Sequence, residues 1–148
     1  MSVVLVEEWD GKQWTEVVRN FNTTKDFLIM EDDLDGELCK MGQLMVEYGS
    51  TWSDLKAQLA RHEEEQEAFY SQKAVVLRAA QAKVTADSVK EQLRSDPDYR
   101  KFVLRSQRTE HIMLRVEVWY KSLLGKKDCL IALAYKHRQE IKAMGGGM

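Results

Sequence analysis

The stretch WSDLKAQLARHEEEQEAFYSQKAVVLRAA, residues 52–80, decides the fold of this chain because it contains neither glycine nor proline. Its central run, 61–67, is rich in Glu, Gln and Arg, which are good helix formers. A helix that starts at Trp52 and reaches Lys83 has 32 residues. It spans roughly 48 Å at about 1.5 Å per residue. Such a helix is too long for the interior of a compact domain of this size.

One side of this helix carries a heptad-like seam. The seam is apolar at both ends and polar in its middle, a pattern that predicts packing against a partner helix, as in a coiled coil. His62 is interpreted as a seam or surface residue, because no metal ligand or nucleophile stands at a useful spacing from it. The seam positions are Trp52, Leu55, Leu59, His62, Gln66, Phe69, Lys73, Val76 and Ala80.

The residues just before this stretch predict a helix boundary at 50–54. Thr51 can cap the long helix, and Asp54, three residues later, can return the hydrogen bond in an arrangement like a capping box. A shorter helix is therefore expected from about Leu34 to Tyr48, with Gly49 as its C-terminal cap.

An acidic run, residues 31–36, leads into the shorter helix and superficially resembles a calcium-binding loop. The twelfth position of such a loop needs a bidentate Glu, and here that position is Gly42. We therefore expect no calcium site. The acidic side chains are interpreted as favourable partners of the dipole at a helix N-terminus.

The N-terminal segment has the pattern of a β-hairpin. Val3–Trp9 and Gln13–Arg19 are rich in strand-forming residues and flank Asp10-Gly11, a dipeptide that favours a tight turn. Because an isolated hairpin is only marginally stable in water, it is expected to pack on a helix or on another chain. The predicted organisation is a hairpin with an acidic linker over residues 1–30, a helical domain over 31–144 and a disordered tail over 145–148.

Two helix starts follow the long helix. Thr85 can cap a short helix that runs through Leu93, and Pro97 suits the first position of another. An apolar stripe then continues to the C-terminus, where Gly125–Asp128 forms either a turn between antiparallel helices or a weak point in one helix.

The predicted fold class is mainly α. Long helices are expected to form a helical hairpin or bundle with a coiled-coil-like seam, to carry a short N-terminal β-hairpin, and to assemble as a homo-oligomer. The residues expected to form the oligomer contacts are Trp52, Leu55, Leu59, Phe69, Val76, Met113, Val116, Tyr120, Leu130 and Leu133.

Charge is distributed unevenly along the chain. The formal net charge of −2 averages −6 over residues 1–36, −3 over 37–99 and +7 over 100–148. In the basic third, cations that neutralise phosphates alternate with aromatic rings that stack on unpaired bases, as in sequence-tolerant single-strand binding. The ordinary alternative is that these aromatics face the core while Lys and Arg are only solvated. The cations expected to bind nucleic acid are Arg100, Lys101, Arg105, Arg108, Arg115, Lys121, Lys126, Lys127, Lys136 and Arg138.

Several classes of protein are excluded by what the sequence lacks. It contains no phosphate-binding glycine-rich loop, metalloprotease motif or nucleophile elbow, so neither an enzyme nor a cofactor is expected. Cys39 and Cys129 lack any ligand spacing, so no disulfide scaffold or zinc site is expected. No apolar run approaches the roughly 18 residues that cross a bilayer, and the N-terminal residues reach Glu7 and Glu8 too soon for a signal peptide to be expected, so a cytoplasmic protein is predicted.

A pattern of spaced residues covers the second half of the chain. It comprises Val89-Lys90, Leu93, Asp96 and Asp98, then Ile112-Met113-Leu114, a Gly/Lys turn and Leu130-Ile131. Together with Trp52 at the start of a long helix, this pattern resembles the recombination mediator proteins of T4-type phages, the UvsY family, over roughly residues 45–141.

This resemblance implies a small helical protein that assembles into rings and binds single-stranded DNA. It also implies two protein partners, a RecA-like recombinase and the single-strand-binding protein that the mediator helps to displace, in the cytoplasm of a phage-infected host cell. In the family, basic residues on the long middle helix contribute to DNA binding, and Lys73 and Arg78 lie in a comparable place.

The leading hypothesis is a non-enzymatic, single-stranded DNA-binding recombination mediator. An alternative is a phage-type interaction module or inhibitor that binds a host protein through residues 1–36, where nine acidic residues accompany Trp9, Trp14, Phe21 and Phe27. A structural coiled-coil subunit, for which the seam alone would suffice, is the third hypothesis.

Overall fold

The chain folds into long helices preceded by a β-hairpin, which confirms the predicted fold class. The computed structural model describes residues 1–81 and 83–145. Within the described part of the chain, none of the helices is both long and apolar enough to cross a lipid bilayer. In chain order the elements are β1 (Ser2–Trp9), β2 (Trp14–Phe21), α1 (Thr23–Phe27), a short 3₁₀ helix (Glu31–Asp33), α2 (Leu34–Ala80), α3 (Ala86–Arg94) and α4 (Pro97–Gly145).

The hairpin turn forms as its dipeptide predicts. β1 and β2 pair antiparallel along their whole length. Gly11 has a φ of +98°, a conformation that glycine adopts at little cost. The Asp10 carboxylate accepts hydrogen bonds from the backbone N–H groups of Gln13 and Lys12, both at 2.8 Å. These bonds lower the pKa of Asp10.

α2 is a single helix of 47 residues, so the predicted boundary at 50–54 is wrong. Gly49 lies inside the helix, and a Cβ at this position would stand 3.1 Å from a ring carbon of Tyr120. The glycine therefore permits a close approach between helices and caps nothing. Thr51 is buried, and its hydroxyl accepts a hydrogen bond from the Arg19 guanidinium at 3.0 Å. Packing within the chain overrides the local signals for a helix end.

α3 and α4 begin where their capping signals predict. Thr85 Oγ1 accepts a hydrogen bond from the Ser88 N–H at 3.2 Å, and Pro97 is the first residue of α4. α4 then runs through 125–128 without a break. Of the two alternatives predicted for this segment, the turn between antiparallel helices is wrong and the single continuous helix is confirmed. It ends at Gly145, and the rest of the predicted disordered tail lies outside the described residues.

The chain divides into two compact units. Unit 1 comprises Met1–Ser53 and Leu114–Met148, and unit 2 comprises Asp54–Met113. In each unit a segment of α2 lies antiparallel to a segment of α4. In unit 1 the ring centroids of Trp52 and Tyr120 are 5.5 Å apart, and in unit 2 those of Phe69 and Phe102 are 5.0 Å apart.

The core of unit 1 joins the hairpin to the helices. Val4 and Val6 are buried on one face of β1. The Phe21 ring at the end of β2 lies 4.5 Å from the Tyr48 ring and 5.9 Å from the Trp119 ring, measured between centroids. The hairpin therefore gains the helical support that an isolated two-stranded sheet needs.

The core of unit 2 is closed by α3. Val89 and Leu93, four residues apart, lie on one face of this short helix and are buried together with Ala74 of α2. Phe69 and Tyr99 pack against the same cluster. α3 thus covers the apolar end of the helix pair that α2 and α4 form in this unit.

Part of the predicted oligomer surface is buried inside the single chain. Leu55, Val116 and Leu130 have no exposed surface, whereas Val76 is 61% exposed. The seam side chains that are buried pack within one chain, so a second copy could not contact them without unfolding. The other members, which are partly buried, are Trp52, Leu59, Phe69, Met113, Tyr120 and Leu133. Assembly as a homo-oligomer stays a prediction.

Candidate nucleic-acid interface

The twelve cations predicted to bind nucleic acid are divided equally between the two units. Those of unit 2 are Lys73, Arg78, Arg100, Lys101, Arg105 and Arg108; those of unit 1 are Arg115, Lys121, Lys126, Lys127, Lys136 and Arg138. Eleven of the twelve are at least partly exposed, and Lys126 is buried. The two groups have different surroundings.

Lys126 belongs to the interior of unit 1. Its Nζ lies 2.7 Å from Glu37 Oε2, and the side chains of Lys126 and Glu37 are only 5% and 9% exposed. The same ammonium donates a hydrogen bond to the backbone carbonyl of Asp26 at 2.7 Å. Lys126 therefore holds α4 to both α2 and α1, and its charge does not face solvent.

Acidic residues accompany other cations of unit 1 as well. Lys121 Nζ lies 3.0 Å from Glu117 Oε1. Near the C-terminal end of α4, His137 and Arg138 line a cavity of about 530 Å³ together with acidic residues of the segment 31–35. The fold thus brings the acidic N-terminal segment to the basic end of the chain, and the two charges offset one another within this unit.

In unit 2, aromatic and cationic side chains meet on one side of the helix pair. The Phe69 and Phe102 rings lie 5.0 Å apart, and Lys73 Nζ stands 5.6 Å from the Phe69 centroid, within cation–π range. A shallow depression of about 310 Å³ is lined by Phe69, Asp98, Lys101, Phe102 and Arg105. We call this depression the Phe69–Phe102 groove.

The cations in and beside the groove have acidic neighbours that are exposed or partly exposed. Arg105 pairs with Glu65, Lys73 Nζ lies 3.8 Å from an Asp96 carboxylate oxygen, and Lys101 Nζ lies 4.0 Å from Asp98 Oδ1. Exposed pairs of this kind are worth only about 0 to 1 kcal/mol and are screened by salt. A phosphate group can therefore compete for these cations at little cost.

Among the unit 2 cations predicted to bind nucleic acid, Arg78, Arg100 and Arg108 do not line the groove. Lys101, Arg105 and Arg108 follow a spacing of four and three, so they share one face of α4. Arg78 near the end of α2 and Arg100 in the first turn of α4 are exposed. They extend the positive surface beyond the two rings.

The sequence pattern named the groove's cations but assigned one of its rings to another role. Phe69 was expected in the oligomer seam, which stays a prediction; within the chain its ring lies beside Phe102 and packs against the core cluster of unit 2. The spacing between Phe69 and Lys73, one helical turn, is the sequence signal that points to a cation over a ring. The partner ring on α4 follows only from the register of the two helices.

His62 is part of a buried polar network in unit 2. Its Nδ1 lies 3.0 Å from Thr109 Oγ1, which also accepts a hydrogen bond from Gln58 Nε2 at 3.4 Å. His62 is 2% exposed, so it is an internal seam residue. Over residues 1–81 and 83–145, no group of three or more His, Cys, Asp or Glu side chains is placed to hold a metal ion.

The aromatic residues of the alternative, inhibitor-type interface are separated by the fold. Phe21 is 5% exposed, and the Phe27 ring packs 5.9 Å from the Tyr48 ring. Trp9 and Trp14 lie at the tip of the hairpin with centroids 5.5 Å apart, and they are 56% and 47% exposed. Only this Trp pair is presented to solvent as that hypothesis requires.

Comparison with solved structures finds a similar fold. The crystal structure of the bacteriophage T4 recombination mediator protein UvsY matches with a TM-score of 0.62 and 19% sequence identity, over 83% of this chain and 92% of that chain. No protein-family profile matches the chain, and no curated protein sequence matches it. The resemblance proposed from the spaced residues is therefore confirmed at the level of the fold.

Proposed function

We propose that this chain is a single-stranded DNA-binding accessory protein of recombination, a mediator that helps to load a RecA-like recombinase. The observation that carries the proposal is the Phe69–Phe102 groove, where two aromatic rings stand beside exposed cations within one unit. The fold likeness to a phage recombination mediator supports the same function over 83% of the chain.

The groove would bind a single strand through two kinds of contact. Unpaired bases would stack on Phe69 and Phe102, because every base presents a π face and stacking needs no particular sequence. Phosphates would replace the acidic neighbours of Lys73, Lys101 and Arg105 and would release condensed counterions. Both contacts predict binding that tolerates any sequence and weakens as salt is added.

A mediator needs differential binding and no catalytic group. A protein shifts an equilibrium only by its difference in affinity for the two states. If the groove holds a strand in a form that the recombinase prefers, it favours the recombinase over the single-strand-binding protein. A homo-oligomer would present several grooves to one strand and raise the overall affinity by avidity.

The DNA-binding step is tested by fluorescence anisotropy with a fluorescein-labelled oligothymidine over a series of salt concentrations. The groove variant is Lys101→Gln with Arg105→Gln. Its matched control is Lys90→Gln with Arg94→Gln, which removes two exposed charges with the same four-residue spacing from α3. Circular dichroism of each variant establishes that the helices are retained.

The groove variant should bind more weakly than both the wild type and the control. Each phosphate contact on a single strand contributes about 0.7 to the slope of log affinity against log salt, so the slope should fall by about 1.4. Equal affinities of the groove variant and the control, or a wild-type slope near zero, would reject DNA binding at this groove.

The mediator step needs its own measurement. The readout is the lag before ATP hydrolysis by a RecA-like recombinase on strands coated with the single-strand-binding protein, taken as a measure of loading. The wild-type chain should shorten this lag on protein-coated strands, and the groove variant should not. An unchanged lag with a chain that does bind DNA would limit the function to strand binding.

A further inference from the structure

A second cleft in unit 2 uses different faces of α2 and α4 from those of the Phe69–Phe102 groove. It has a volume of about 400 Å³ and includes Glu63, Glu67 and Tyr70 from α2 with Tyr99 and Glu110 from α4. The Tyr70 and Tyr99 ring centroids are 6.0 Å apart. We call this depression the Glu63–Glu110 cleft. It lies entirely within one compact unit.

The cleft has an uncompensated negative charge. Three of its lining residues are glutamates, and neither Lys nor Arg is found among the lining residues in the described chain. Glu63 and Glu67 stand one turn apart on α2, where like charges repel. Within residues 1–81 and 83–145, Glu63, Glu67 and Glu110 form no ion pair.

A buried polar group in the same cleft also lacks a partner. Ser106 lines the cleft, is only 7% exposed, and its Oγ makes no hydrogen bond with any described residue. A buried hydroxyl without a partner is uncommon, because its loss of water is not compensated. Ser106 is thus an independent sign, apart from the glutamates, that a polar ligand completes this cleft.

We propose that the Glu63–Glu110 cleft binds an arginine side chain from a basic segment of a partner protein. A guanidinium carries five N–H donors in a planar fork, which suits several carboxylates and a hydroxyl acceptor. The same plane stacks on aromatic faces, and Tyr70 and Tyr99 provide two. Lysine has a compact, strongly hydrated ammonium and satisfies this combination less well.

Other ligands fit the cleft less well. The described residues contain no metal-holding cluster, so a divalent cation lacks a ligand set here. A nucleic acid would place its phosphates beside three glutamates and no cation. The charge of the cleft therefore complements a basic protein segment, and this inference does not depend on the proposed binding of DNA elsewhere in the unit.

The test uses the full chain and a fluorescein-labelled peptide that contains three arginines separated by Gly-Ser. Two further peptides replace arginine with lysine or with citrulline, which keeps the shape and removes the charge. Anisotropy titrations should show binding in the order arginine, lysine, citrulline, with the arginine peptide at least about tenfold tighter than the citrulline peptide.

The cleft variant is Glu63→Gln with Glu67→Gln and Glu110→Gln. The control variant, Glu64→Gln with Glu91→Gln and Glu140→Gln, changes the net charge equally at exposed positions outside the cleft. The cleft variant should lose at least about tenfold in affinity for the arginine peptide, and the control should lose much less. Equal losses, or no loss in either, would overturn the proposal.

A second measurement on the wild type does not depend on any variant folding. Amide chemical shifts should move on addition of the arginine peptide at Glu63 and Glu110, which line the cleft and are not adjacent to any residue that lines the Phe69–Phe102 groove. Shifts confined to the acidic segment 31–35 would assign the peptide to that surface and overturn the proposal. Oligothymidine that moves the same cleft amides would assign the cleft to nucleic acid and would also overturn it.

Discussion

Lys126 of α4 and Glu37 near the start of α2 form a buried ion pair, with Nζ 2.7 Å from Oε2. The two residues are 89 positions apart in the sequence; Lys126 belongs to the basic third, and Glu37 directly follows the acidic segment 1–36. In the sequence these regions look like separate surfaces for separate partners. In unit 1 they meet, and one of the cations predicted to bind DNA stabilises the fold.

Replacing Lys126 with Met should strongly destabilise the protein. The apolar stem of the side chain is kept, but the Glu37 carboxylate would stay buried without its counter-charge and the Asp26 carbonyl would lose its donor. Removing one partner of a buried pair costs about 3 to 5 kcal/mol in the free energy of unfolding. Urea denaturation measures this change directly.

Two controls accompany this prediction. Lys121→Met removes a cation from an exposed pair with Glu117 and should cost less than about 1 kcal/mol. The double variant Lys126→Met with Glu37→Met replaces both buried charges and should recover much of the loss. A cost for Lys126→Met no larger than that for Lys121→Met would contradict the role given to the buried pair.

Tyr48 should make stability depend on alkaline pH. Burial raises the pKa of Tyr48, and so does the Asp26 carboxylate, whose Oδ2 accepts a hydrogen bond from the Tyr48 hydroxyl at 2.8 Å. A tyrosine in the unfolded chain has a pKa of about 10. Above that pH the unfolded state loses this proton and the folded state keeps it. The free energy of unfolding should therefore fall, by up to about 1.4 kcal/mol per pH unit for this group.

Tyr48→Phe separates this effect from the titration of other groups. At neutral pH the variant should be less stable by about 0.5 to 1.5 kcal/mol, the usual net value of a lost hydrogen bond. Near pH 11 its deficit relative to the wild type should shrink. Only the wild type has a Tyr48 hydroxyl whose loss of a proton in the unfolded state lowers the free energy of unfolding. Urea denaturation at both pH values tests this, and a constant deficit would argue against it.

Three helix glycines should respond differently to alanine. Gly42 of α2 and Gly125 of α4 face open space, so Gly42→Ala and Gly125→Ala should each raise the free energy of unfolding by roughly 0.5 to 1 kcal/mol. At Gly49 the same gain is opposed by the Tyr120 ring, 3.1 Å from the added Cβ. Gly49→Ala should therefore stabilise less than Gly42→Ala. An equal effect would mean that the Tyr120 ring can move away from the added methyl group without an energetic cost.

Features that depend on neighbouring residues could be predicted from the sequence. Thr85 caps α3 and Pro97 starts α4 because a hydroxyl acceptor and a missing N–H act within one helical turn. The hairpin follows from its turn dipeptide in the same way. Thr51 and Gly49 carry equally good local signals for a helix end. In the folded chain, however, Thr51 accepts a hydrogen bond from Arg19 and Gly49 leaves room for the Tyr120 ring, so the helix continues through both.

Features that depend on the register between α2 and α4 could not be predicted. The spacing of Glu63 and Glu67 shows that they share a face, but only the folded chain shows that Ser106 and Glu110 line the same cleft. For the same reason, the sequence patterns did not show that Phe69 lies beside Phe102. Periodicity fixes which side of a helix a residue occupies, and it leaves open which residue of the other helix stands opposite.

Phe102 should contribute to DNA binding by stacking on a base. Phe102→Leu keeps an apolar side chain in the Phe69–Phe102 groove and removes the aromatic face, so oligothymidine binding should weaken by about 1 to 3 kcal/mol. Phe102→Tyr keeps the ring and should bind nearly as well as the wild type. Trp14→Leu, which removes an exposed ring at the hairpin tip, is the matched control.

Anisotropy at constant salt measures all three variants, and the salt slope distinguishes stacking from charge. Because no phosphate contact is removed, Phe102→Leu should lower the affinity without changing the slope of log affinity against log salt. If Phe102→Leu binds like the wild type while Trp14→Leu does not, the bases stack at the hairpin and not in the groove. In that case the exposed Trp pair, and not Phe69 and Phe102, is the aromatic platform of this protein.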